Sequence, residues 1–212
     1  MMVMPSHNTT GSVHYWAGKG YPVGWLFTPS GALREPLEWI PYACDNGRFS
    51  VWDNGSLWHE SDFLKMLEIY SNHPMQPLWV VVPDEVGDRD ETLRQWDEWY
   101  PQLNKSFNLT YAFAVQDGMT PKDVPSEADV VFVGGTFKWK WRNLETWCKS
   151  FQRIHVGRVN TLKNLLRCKS LKVESVDGSG WFRSPHRAKS LHDFFKIQAG
   201  ETPCNEQLGL GL

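Results

Sequence analysis

Leu78-Trp79-Val80-Val81-Val82-Pro83-Asp84 decides the architecture: five apolar residues in a row, then a proline and a carboxylate. A strand covered on one face alternates apolar and polar residues, whereas an unbroken apolar run belongs to a strand covered on both faces, as in parallel α/β sheets. Pro74 and Pro77 forbid helix just upstream and deliver the chain into the run. The same punctuation recurs. Residues 111–115 run into Gln116-Asp117, 130–133 into Gly134-Gly135, 154–156 into Gly157-Arg158 and 172–176 into Asp177-Gly178, while 39–44 lead into Asp45-Asn46-Gly47. Helical spacing fills the intervals. Ser61 opens a helix to about Tyr70, with Phe63, Leu64, Leu67 and Tyr70 at helical spacing, and Asp88 or Asp90 opens one that carries Leu93, Trp96 and Tyr100 inward. Further helices are expected near 141–152, 160–169 and 188–198, and a first strand over 23–27 closed by Thr28-Pro29-Ser30-Gly31. Strand, polar tip, helix, strand is the pattern of a parallel α/β protein whose ligands sit beyond the carboxyl ends of the strands. Three carboxylates, an amide and a glycine pair should therefore converge on one rim, which points to an enzyme.

The 212 residues suit a single domain over 1–212, with 1–12 and 200–212 read as loose ends and about seven strands between them. A (β/α)8 barrel usually needs ~250 residues, so any barrel here is trimmed or irregular. Hydrophobic and charged fractions of 41% and 22% are ordinary for a globular protein. No apolar run nears the ~20 residues of a membrane helix and the start lacks a signal-peptide core, so a cytoplasmic setting is expected. Cys44, Cys148, Cys168 and Cys204 lack CxxC spacing and read as reduced thiols, with no metal site.

Net charge is −2, yet residues 138–172 hold ten Lys or Arg against Glu145 alone. Such a run is either a solvated helix surface or, with Trp139, Trp141 and Trp147 interleaved, a phosphate-backbone footprint in which Lys138, Lys140 and Arg142 contact DNA. The twelve tryptophans leave a similar choice between core packing and stacking platforms, for which Trp16, Trp25, Trp139, Trp141 and Trp181 are the candidates.

Asp177 and Asp45 each end a strand and precede a glycine turn. Either alone could be a turn or helix cap. Two carboxylates on one rim are also the minimum for breaking a glycosidic bond, one as nucleophile and one moving protons. Asp84, Gln116 and the Gly134-Gly135 amides match the edge of a guanine-like base, which offers two N–H donors beside a carbonyl.

In order, Asp45-Asn46-Gly47-Arg48-Phe49, Pro83-Asp84, Val115-Gln116-Asp117-Gly118, Gly134-Gly135, His155-Val156-Gly157-Arg158 and Ser175-Val176-Asp177-Gly178 resemble the tRNA-guanine transglycosylase superfamily, and most closely its phage and bacterial 7-deazaguanine DNA transglycosylases. The resemblance spans about 14–181. It implies a TIM-type (β/α)8 barrel that exchanges guanine in DNA for a 7-deazaguanine such as 7-cyano-7-deazaguanine, without cofactor. Asp177 would be the nucleophile and Asp45 the general acid/base. Asp84, Gln116, Gly134 and Gly135, with Asn46 and Phe49, would bind the base. Arg158, His155 and Trp181 would contact sugar, phosphate or DNA. The chain departs from members acting on tRNA, whose zinc site needs three clustered cysteines and a histidine; only Cys204 follows Asp177. Two other readings stay open: a base-releasing glycosylase on the same scaffold, and a non-catalytic module that holds a nucleobase or DNA.

Overall fold

The computed structural model describes residues 1–6, 10–29, 35–181 and 185–201. In chain order these form β1 (Met2–Met4), α1 (Thr10–Gly18), β2 (Trp25–Phe27), β3 (Tyr42–Cys44), α2 (Arg48–Asn54) and α3 (Glu60–Ser71). Then come β4 (Val80–Val81), α4 (Arg89–Ser106), β5 (Tyr111–Val115), β6 (Val130–Val133), α5 (Phe137–Ser150), β7 (Ile154–Val156), α6 (Leu162–Ser170), β8 (Ser175–Asp177) and α7 (Pro185–Ala199).

All eight strands are parallel, in the order β1-β8-β7-β6-β5-β4-β3-β2. The two outer strands nearly close the sheet on itself. Val3 N donates to Pro22 O at 3.0 Å and Gly24 N to Val3 O at 3.0 Å, and parallel bridges join Val3 to Val23 and Ser6 to Leu26. The fold is a TIM-type (β/α)8 barrel, as the resemblance implies, and the recurring strand-tip-helix pattern predicts its parallel α/β class.

Eight strands replace the expected seven because β1 lies in the segment read as frayed. Its three residues carry too little pattern to be seen alone; what holds them is the ladder that pairs Met2, Val3 and Met4 with Ser175, Val176 and Asp177. The helices α1 and α2 carry no sequence signal that marks them. Only Tyr42–Cys44 of the expected 39–44 strand joins the sheet; Pro41 has no N–H to give and Trp39 is 54% exposed. The expected Ser30 and Gly31 turn and the tail beyond 201, with Cys204, lie outside the described residues.

Alternation along the strands divides the core in two. Val80, Val82, Tyr111, Phe113, Val131 and Val133 face the helices, within one large cluster. Met4, Leu26, Ala43, Trp79, Val81, Ala112, Ala114 and Val130 fill the lumen. Because both faces are covered, the strands read as continuous apolar runs. The next inward layer, one step toward the carboxyl ends, is where Asp45, Gln116, Gly134, Gly157 and Asp177 emerge. Among the described residues no helix is long and apolar enough to cross a membrane.

Candidate active site

A cavity of about 440 Å³ opens at the carboxyl ends of the strands, where ligands bind in this architecture. Nine of the residues singled out from sequence line it: Asp45, Asn46, Phe49, Asp84, Gln116, Gly134, Gly135, Arg158 and Asp177. Val81, Leu26 and Phe132 give it an apolar floor, and Asp53 and Ser179 add polar groups that no sequence signal marked.

Asp177 closes β8 and is 6% exposed. Its Oδ1 accepts from the backbone N–H of Arg158 at 3.1 Å and lies 3.1 Å from His155 Nε2. Among the described residues both contacts fall on Oδ1, and Oδ2 is the oxygen left to meet a ligand. The tight turn behind it depends on Gly178, where a Cβ would sit 2.5 Å from Val159 O and 2.6 Å from Asn160 Oδ1.

Asp45 follows β3, and its Oδ1 accepts from Gly47 N at 2.6 Å. That short loop needs Gly47 at φ +80°, in the left-handed region. Burial pushes the Asp45 carboxyl up to about 7; the Gly47 bond opposes the rise, and the nearby Asp177 and Asp84 charges add to it. A carboxyl that keeps a proton near neutral pH can donate it.

Asp84 is 7% exposed and accepts on both oxygens, from Asn46 Nδ2 at 2.7 Å and from Gln116 Nε2 at 2.5 Å. Burial raises its pKa, while these two bonds pull the other way. Each oxygen keeps a lone pair for a ligand N–H. Gln116 is itself fixed, since its Oε1 accepts from Gly87 N and Gly135 N, both at 2.9 Å. The Gly134 amide donates to Val115 O at 3.1 Å. The glycine amides are thus committed to holding the rim, and one Gln116 amide hydrogen remains for a ligand carbonyl. A Cβ at Gly134 would lie 3.0 Å from Gln116 Nε2 and 3.3 Å from Val115 O, so a side chain there would press on the amide.

Arg158 caps the opposite side. Its guanidinium lies 4.1 Å from the centroid of the Phe49 ring and donates to Gly135 O. The residue holds φ +59°, a conformation uncommon outside glycine and typical of sites under constraint.

Several residues expected at the DNA or sugar fall elsewhere. His155 is fully buried beneath Asp177, so it cannot touch DNA. Trp181 is 1% exposed and belongs to the core. Lys140 shares the inner face of α5 with Leu144 and Trp147, at positions i+4 and i+7, and its Nζ donates to Gly157 O. Burial, helped by Arg158, pulls the Lys140 amine down to about 7. It therefore leaves the basic face, whereas Lys138 and Arg142 are exposed on the other side of the helix. Of the stacking candidates, Trp16, Trp25 and Trp141 are buried and Trp139 packs toward Trp147; the exposed tryptophans are Trp39 and Trp52. Among the described residues no group of three or more His, Cys, Asp or Glu is placed to hold a metal ion.

A scan against protein-family profiles finds no match to this chain, and a search of curated proteins finds none.

Proposed function

We propose that the cavity exchanges a guanine-type base in DNA for a 7-deazaguanine through a covalent Asp177–sugar ester. The observation that carries this reading is that Asp45 and Asp177 share one cavity but differ in environment. Asp45 is pushed toward holding a proton, whereas Asp177 Oδ1 lies between the Arg158 backbone N–H and the His155 ring nitrogen, with Oδ2 left for the reaction. In the first displacement Asp177 Oδ2 attacks C1′, the C1′–N9 bond breaks, and the departing guanine takes a proton from Asp45. The incoming base then gives its proton to Asp45 and attacks C1′, and the C1′–Oδ2 bond breaks. Two inversions retain configuration, and no redox or phosphate chemistry is needed.

Recognition follows from the same rim. The free lone pairs of Asp84 accept from the two adjacent N–H groups of a guanine edge, and the remaining Gln116 amide hydrogen meets its carbonyl. A base with other donors would leave buried polar groups unpaired, at a cost of about 1–3 kcal/mol each. The base reaches the pocket only after leaving the helical stack, which itself costs a few kcal/mol. Lys138 and Arg142 lie on α5, which begins just beyond Gly135, where they can hold the phosphate backbone.

The test is nucleoside mass spectrometry on DNA incubated with the protein, with and without 7-cyano-7-deazaguanine. A deazaguanine nucleoside with free guanine, both lost in Asp177→Asn, is the expected result. Free guanine and abasic sites with no incorporation would replace exchange by hydrolysis. An unchanged Asp177→Asn would remove the nucleophile from its role.

A further inference from the structure

His155 is the one imidazole in the barrel lumen among the described residues, and no step of the exchange reaction yet involves it. It projects inward from β7 with no solvent exposure. Its ring stacks on Phe132 at 4.8 Å between centroids and meets Trp79 edge-on at 4.6 Å, so it cannot swing away. Nδ1 lies 2.8 Å from Ser175 Oγ and Nε2 lies 3.1 Å from Asp177 Oδ1. Ser175 and Asp177 are two residues apart on β8 and so face the lumen together. With a neutral imidazole, one proton arrangement lets the ring donate to Asp177 and satisfies all three groups. The Ser175 hydroxyl donates to Nδ1, which places the ring proton on Nε2, where it donates to Asp177.

Building on the covalent reading, and resting on it, we propose that His155 is a positioning residue that controls how readily Asp177 leaves the sugar in the second displacement. Two donors, His155 Nε2–H and the Arg158 N–H, converge on Oδ1. When Oδ2 bonds to C1′, Oδ1 becomes the ester carbonyl oxygen and carries less negative charge. When the incoming base attacks, the C1′–Oδ2 pair returns to the carboxylate and charge builds again on Oδ1, in front of both donors. Bonds to the anion are stronger than bonds to the ester. The pair therefore favours breakdown of the ester over its formation and guards against a stalled protein–DNA adduct.

The experiment incubates a guanine-containing oligodeoxynucleotide with wild type, His155→Phe and Ser175→Ala, without added base. Each reaction is then chased with 7-cyano-7-deazaguanine. Covalent adduct is read on a denaturing gel and by intact mass. His155→Phe keeps the aromatic packing and loses the donor; Ser175→Ala keeps the ring and frees its tautomer, and decides the matter if the Phe variant does not fold. The expected result is about tenfold more adduct in His155→Phe and a chase slowed by a similar factor, the loss of one charge-assisted bond, with a smaller change of the same sign in Ser175→Ala. A merely structural histidine would lower formation and breakdown together and leave their ratio unmoved. Folded variants with wild-type adduct levels and chase rates would overturn the proposal. A wild type that neither forms adduct nor exchanges bases would overturn the covalent reading, and the proposal with it.

Discussion

Asp45→Asn is expected to stabilise this protein and inactivate it at once. In the folded chain the Asp45 carboxyl keeps its proton up to about pH 7, whereas in the unfolded chain it releases it near 3.8. Between these values folding takes up a proton, so stability falls as pH rises. Above pH 7 the penalty is full and constant; below 3.8 it is absent. The shift of about 3 units corresponds to a ceiling of about 4 kcal/mol, at 1.36 kcal/mol per unit. Asp45 keeps some solvent contact at the cavity, which screens the effect, and about 2 kcal/mol is the reasonable expectation. Asparagine keeps the acceptor for Gly47 N, bonded at 2.6 Å, and removes the charge that faces Asp177 and Asp84.

Urea denaturation of both proteins from pH 4 to pH 8.5 checks this. The variant's margin should grow through the window from 3.8 to 7 and then level off, with a melting temperature about 4–8 °C higher above neutrality. Base exchange by wild type should decline as pH passes 7, as Asp45 loses the proton it must donate, and the variant's residual rate should show no such limb. A margin that stays constant across this range would mean that Asp45 ionises normally in the fold. The general-acid assignment would then lose its physical basis. A stabilising substitution that abolishes activity is the usual sign of a carboxylate held against its preference for use.

Two further outcomes test the rim. Asp84→Ala should weaken binding of guanine-type bases by about 100-fold in calorimetry, since two bonds to a buried anion vanish and the Asn46 and Gln116 amides lose their acceptor; unaltered affinity would remove Asp84 from recognition. Lys138→Gln with Arg142→Gln should weaken DNA binding and flatten the plot of log affinity against log salt by about 2, one for each phosphate no longer neutralised. If the slope holds, those exposed charges only keep α5 solvated.

The parallel sheet was legible because each of its central strands is covered on both faces and so announces itself as an apolar run with a polar or glycine tip. Tyr111–Val115 and Val130–Val133 match the expected runs to the residue. What failed were elements whose stability is not local. The strand β1 is three residues that exist through their ladder to Ser175–Asp177. The helix α2 has no buried residue and is framed by left-handed Gly47 and Gly55, so it shows no amphipathic period to find.

The site divides along the same line. Strand-end residues such as Asp45, Asp84, Gln116 and Asp177 were legible because parallel register carries every carboxyl end to one rim, whatever the helices between them do. Their supports were not, because support depends on phase and cross-strand pairing. Counting charges over 138–172 groups Lys140 with Lys138 and Arg142. Helical phase instead turns it inward with Leu144 and Trp147, where its amino group donates to the backbone carbonyl of Gly157. Likewise His155 and Ser175 look like ordinary strand residues until β7 and β8 are paired residue for residue, 155 beside 175. That register sets the imidazole under Asp177. The reactive groups are thus written along the chain, and the hydrogen bonds that hold them ready are written across it.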